Sequence, residues 1–133
     1  MAGDEAMIVA GIGCRRGATA DAVGAAIAAA AARCGLERGA IDALATAAGK
    51  SDEQGIAAAA LALSAALVFV TPAQMRDAAV GALTVSARIV DLMGVPSIAE
   101  TAALAAAGRS ARLLAPRIAT DMVTCAIAVG DGP

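Results

Sequence analysis

Apolar positions along the chain switch repeatedly between short continuous runs and longer stretches of helical period. Residues 7–11 are an apolar run stopped by glycine, as a buried strand would be, and lead into the loop Gly13-Cys14-Arg15-Arg16-Gly17. Thr19 then offers a capping hydroxyl. Val23, Ile27, Ala30, Ala31 and Cys34 recur along one helical face, and Gly35 stands where a left-handed C-terminal cap belongs. A weak strand follows at 44–48. Ser51-Asp52-Glu53-Gln54 has the form of a capping box, opening a helix that runs to about Ser64. Residues 67–70 predict a third strand, and Thr71-Pro72 supplies a cap and an N1 proline for a short helix.

Val85, Ile89, Leu92 and Met93 mark a further helical face closed by Gly94. Ser97-Ile98-Ala99-Glu100 is a second capping box, whose helix runs through alanines to Gly108. Residues 112–116 and 123–129 predict two strands around a polar turn at Thr120-Asp121. Strands and helices thus alternate and a hairpin closes the chain. The expectation is an α/β fold spanning residues 1–133 as a single three-layer domain, a mainly parallel sheet flanked by helices with a C-terminal antiparallel hairpin.

Composition refines this picture. Of 133 residues 41 are alanine and Phe69 is the one aromatic, so the core is built from small aliphatic side chains. A hydrophobic content of 59% raises the question of membrane insertion. The longest uncharged stretch, residues 54–75, argues against it: alanine gains little on transfer, Thr71-Pro72 interrupts the run, and no Lys/Arg cluster flanks it. An acidic start, Asp4-Glu5, is the opposite of an export signal, so a cytoplasmic location is expected. A net charge of −2 and the lack of stacking aromatics argue against nucleic-acid binding. Histidine is absent, which removes Ser-His and Cys-His nucleophile pairs. Cys14, Cys34 and Cys125 form no close-spaced metal pair and are expected as reduced thiols. No metal or cofactor is implied.

Candidate chemistry concentrates in two loops. The glycines of residues 11–17 let backbone approach a ligand, the following helix N-terminus favours an anion, and Arg15 and Arg16 are forked donors for carboxylate or phosphate. The competing reading is a tight strand-to-helix turn with solvated arginines. The spacing G-x-G-x-x-x-G is one residue longer than a dinucleotide fingerprint, and no phosphate-loop motif occurs. Cys14, beside two arginines, is placed for a lowered thiol pKa, but the missing histidine base favours a structural role. In the second loop Lys50, Ser51, Asp52 and Glu53 follow a predicted strand at the edge where open α/β sheets bind ligands. Asp52 and Glu53 are acid/base candidates there, although capping also accounts for them. Ser97 and Glu100 form a sufficient capping pair and are secondary candidates for substrate contact.

Four blocks in this order carry a family resemblance: residues 11–18 (GIGCRRGA), 50–55 (KSDEQG), 94–108 (GVPSIAETAALAAAG) and 113–117 (LLAPR) before an apolar terminal strand. The chain resembles CobE of cobalamin biosynthesis and the C-terminal domain of CbiG, the cobalt-precorrin-5A hydrolase. That resemblance implies a protein of corrin-ring construction. It implies a precorrin or other carboxylate-rich tetrapyrrole as partner, held through Gly13, Cys14, Arg15, Arg16, Gly17, Lys50, Ser51, Ser97 and Glu100. A hydrolase variant would open a δ-lactone and release acetaldehyde, with Asp52 or Glu53 activating water. The third alternative is a non-catalytic domain that docks on other corrin-pathway enzymes.

Overall fold

The structure, a computed structural model, describes residues 6–50, 53–120 and 122–132. Its centre is a six-stranded sheet. The elements follow in the order β1 (Met7–Cys14), α1 (Ala20–Arg33), β2 (Ala43–Ala47), α2 (Gln54–Leu63), β3 (Ala66–Val70), α3 (Pro72–Ala78), α4 (Ala87–Met93), α5 (Ile98–Ala107), β4 (Arg112–Leu113), β5 (Ile118–Ala119) and β6 (Val123–Gly130). The strand order is β3-β2-β1-β6-β4, with β5 also pairing β6. β1, β2 and β3 run parallel, whereas β6 lies antiparallel to β1 along its whole length, Met7 opposite Gly130 and Cys14 opposite Val123. The mixed α/β sheet, its helices on both faces and its antiparallel C-terminal strands agree with expectation.

Local physics accounts for most of the element ends. Thr19 accepts the Ala22 N–H, and α1 closes with Leu36 N–H donating to Ala31 C=O while Gly35 takes a positive φ of 70°. Thr71 and Gln74 cap α3 reciprocally, with Pro72 in its first turn.

Several sequence-based expectations are corrected. β1 does not stop at Gly11 but continues through Gly13 to Cys14, because β6 supplies a partner at every position. Gly11 serves packing: a Cβ there would overlap the Ala99 carbonyl oxygen and press on Ala103. α2 starts at Gln54, three residues after the Ser51 cap expected for it. Glu53 is the N-cap residue without a side-chain cap bond, and Ser51 and Asp52 lie outside the described residues. Of the positions Val85, Ile89 and Leu92, Ile89 packs against the core, whereas Val85 precedes α4, which begins only after its Ser86 cap, and Val85 and Leu92 are 76% and 65% exposed. The strand expected over 112–116 shrinks to the two residues of β4. Asp121, in the turn before β6, also lies outside the described residues.

Two apolar layers enclose the sheet. On one face Val23 and Ile27 of α1 and Ile56 of α2 pack on Ile12, Leu44 and Ile127. On the other, α5 lies on β1 and β6 through alanines four residues apart: Ala99 and Ala103 sit over Gly11 and Ala107 over Gly130. Methyl-sized side chains meeting glycine backbone bring that helix unusually close to the sheet, the structural use of the alanine excess. No helix among the described residues is long and apolar enough to cross a membrane.

Candidate functional site

The parallel strands β1 and β2 end at the same edge, and the antiparallel β6 begins there, so three loops converge. Gly13 and Cys14 finish β1, and Arg15 and Arg16 follow it. The Arg15 N–H donates to Met122 C=O (2.9 Å) and the Ala18 N–H to Arg15 C=O (3.2 Å), tying this loop to the turn before β6. Thr124 Oγ1 donates to Gly13 C=O (3.2 Å), bracing the same corner. Lys50 ends a short helical turn after β2 and is half-buried.

These residues border a cleft of about 750 Å³. Arg15, Arg16 and Lys50 line it. Arg88 from α4 and Arg117 from the loop before β5 complete a set of five cations. Ile89 and Leu92 of α4, Ile98 of α5 and Met122 add apolar surface. No carboxylate is among the described lining residues. The arrangement is amphipathic, with apolar side chains between forked and point cations that suit carboxylate groups. The size lies within the usual range for small-molecule clefts, roughly 300–1,000 Å³.

Sequence-based candidates divide between places. Gly13, Cys14, Arg15, Arg16 and Lys50 share the cleft. Gly17, Glu53 and Arg16 border a second hollow of about 560 Å³ between the starts of α1 and α2. There Gly17, at φ +81°, donates its N–H to Glu53 Oε1 (3.0 Å), so that carboxylate clasps the two loops together. Asp52 and Ser51 fall outside the described residues. Ser97 and Glu100 are fully buried and do not line the cleft. Ser97 Oγ accepts the Glu100 N–H (3.3 Å), but the Glu100 carboxylate does not return to the cap. Instead its Oε1 accepts from Leu83 N–H and Thr84 N–H (both 2.8 Å). Its Oε2 accepts from Thr84 Oγ1 (2.7 Å) and Arg117 N–H (2.9 Å). The expected reciprocal box at α5 is therefore half present, and neither residue is exposed to touch a ligand.

Arg88 and Arg117 escaped the sequence reading. Arg117 stood in a quoted block and was not singled out, and Arg88 was masked by the apolar face assigned around it. The lowered thiol pKa weighed for Cys14 is not found. Partial burial pushes its thiol pKa up, Lys50 opposes this and Glu53 reinforces it, so the site holds a thiol and not a thiolate. Burial raises Cys34 as well, against Arg33, and pushes Cys125 up to about 12.

The profile of the family described as cobalamin synthesis G C-terminus matches residues 8–128. The chain belongs to this family. Among proteins of known structure, it is similar to CobE, a protein from the cobalamin (vitamin B12) biosynthetic pathway. That likeness has 34% identity over 94% of both chains and a TM-score of 0.88. It is also similar to the cobalamin biosynthesis protein chiG from Agrobacterium tumefaciens str. C58. There the identity is 45% over 93% of this chain and 98% of the other, with a TM-score of 0.74. A cobalamin biosynthesis protein G homolog from Sulfolobus solfataricus shares the fold at 22% identity and TM-score 0.71. That match covers 92% of this chain and 36% of the longer one. No curated protein sequence matches.

Proposed function

We propose that this cobalamin-biosynthesis protein binds a precorrin-type tetrapyrrole intermediate in the cleft at the end of β1 and β2, and holds or hands it over. The observation that carries this reading is the meeting of Arg15, Arg16, Lys50, Arg88 and Arg117 with Ile89, Leu92, Ile98 and Met122 around one cleft. A precorrin is a broad apolar macrocycle rimmed by acetate and propionate carboxylates. The cleft offers the complement of both features, with local cations in a chain whose net charge is −2.

Binding is favoured over lactone hydrolysis by the state of the described groups. Cys14 is held as the thiol, and the Glu53 carboxylate accepts the Gly17 N–H in the neighbouring hollow, which it shares with Arg16. Titration of the protein with hydrogenobyrinic acid, followed by absorbance, should give saturable spectral change. Replacing Arg15 and Arg16 together by alanine should weaken binding about tenfold at low salt, and by less as salt screens the pairs. Equal affinity of the two proteins would remove the ligand from this cleft. Acetaldehyde release from a lactone-bearing intermediate would replace the carrier reading by the hydrolase.

A further inference from the structure

Glu100 has a position that capping does not explain. It is a fully buried carboxylate, and a charge buried that deeply is retained only where several donors compensate it. Its four donors come from two segments lying sixteen or seventeen residues to either side of it in sequence. One is Leu83-Thr84, the approach to α4, whose Ser86 N–H is further fixed on Pro96 C=O (2.8 Å). The other is the backbone of Arg117. The α4 segment delivers Arg88, Ile89 and Leu92 to one lip of the cleft, and the Arg117 segment delivers the guanidinium of another.

We propose that Glu100 is the positioning residue of the cleft, a single buried carboxylate that sets the Arg88 lip and the Arg117 lip relative to each other. This rests on the binding reading above. The chemistry requires a carboxylate, because all four partners arrive as donors and an amide has only one oxygen to receive them. In Glu100→Gln the amide oxygen can keep Leu83 and Thr84 N–H. The Thr84 hydroxyl can rotate to accept from the new NH₂. The Arg117 N–H, however, then faces a donor and is released.

The test is a double-mutant cycle read with hydrogenobyrinic acid as probe, alongside thermal melting of each protein. Arg117→Ala is expected to weaken binding about threefold, the scale of one partly exposed ion pair. Glu100→Gln is expected to do the same, and the double variant to bind no more weakly than Arg117→Ala alone, because both changes remove one contribution. A residue that affects binding independently of Arg117 would give losses that multiply, to about ninefold, and one that only stabilises the fold would lower the melting temperature without changing the affinity of the folded protein. If Glu100→Gln does not fold, Thr84→Val, which deletes one donor to the same carboxylate, is cycled against Arg88→Ala with the same expectation. Multiplying losses, or a Glu100→Gln protein that binds as wild type while Arg117→Ala is weakened, overturn the positioning role and leave the cleft intact. Wild-type affinity in both Arg117→Ala and Arg88→Ala overturns the cleft reading, and the positioning role with it.

Discussion

The two faces of the sheet solve the same covering problem by different means. The face under α1 and α2 is closed by branched side chains, Val23, Ile27 and Ile56 against Ile12, Leu44 and Ile127, with caps at the surface. The face under α5 is closed by alanine on glycine, and it carries buried Ser97, Glu100 and Thr101 on one helix. Thr101 Oγ1 also returns a hydrogen bond to the Ser97 carbonyl. The first face meets the sheet through aliphatic side chains, where residues of similar volume can exchange, and its close backbone approach is not to the sheet but at Gly55 of α2 against the Ala18 carbonyl ahead of α1. The second is dimensioned to single atoms, and that close approach is what seats Glu100 where it can hold both lips of the cleft. Rigidity is placed on the side of the molecule that carries the candidate site.

The sharpest way to break this contrast is to add one methyl group to the close face. In Gly11→Ala the new Cβ overlaps the Ala99 carbonyl oxygen and lies 2.7 Å from Ala103 N. Both obstacles are backbone, so α5 must move as a unit and drag Glu100 with it. Overpacking of this kind is expected to cost about 3 kcal/mol or more. Urea unfolding measures it, and ligand affinity of the folded fraction should fall with it. A loss below about 1 kcal/mol would mean that α5 can be lifted from β1 at little cost, and the contrast between the faces would be void.

How much of this was readable in the sequence follows the same division. The α1 side was legible from Thr19, the Val23-Ile27 face and Gly35, because periodicity and caps report local interactions. The loop cations Arg15, Arg16 and Lys50 were legible because they follow strands. The α5 side was not. Glu100 fits a capping box by spacing, and nothing in the local pattern reveals that its partners are Leu83, Thr84 and Arg117. Gly11 reads as a strand stop because a glycine needed for contact with a helix some ninety residues later looks the same in sequence as one needed for a turn. The strands β4 and β5 are pieces of two residues each, defined by the edge of β6 they lie against and not by any periodicity of their own.

Alkaline pH separates the faces in a second way, since Cys125 packs on the α1 side. Burial holds its thiol up at about 12, against an ordinary value of 9.0. The unfolded chain releases that proton near pH 9 while the folded chain retains it. The contribution is therefore fully present below pH 9 and is lost as pH rises toward 12. Cys34, also shifted up, acts in the same direction. The loss is on the order of 1 kcal/mol per pH unit above 9. Cys125→Ala, at a cost of about 1 kcal/mol at pH 7, should flatten the fall of melting temperature between pH 9 and 11. An unchanged slope would place the alkaline sensitivity outside the α1 face.

The smallest effect sharpens the contrast most directly, because it is the same chemical change made on the other face. Gly24 lies inside α1, half-buried, and a Cβ built on it meets nothing within 4 Å. Alanine there costs no packing and removes the conformational entropy that glycine loses on entering a helix. Gly24→Ala should stabilise the protein by about 0.5–1 kcal/mol. That corresponds to a rise of about 2–4 °C in melting temperature for a chain of this size. One added methyl would then raise stability on the α1 side and lower it by several times as much at β1 under α5. Destabilisation by Gly24→Ala would show that the outer surface of α1 is in contact with something else in solution. In that case Gly24 would no longer serve as the open counterpart of Gly11, and the comparison of one added methyl at the two sites would be void.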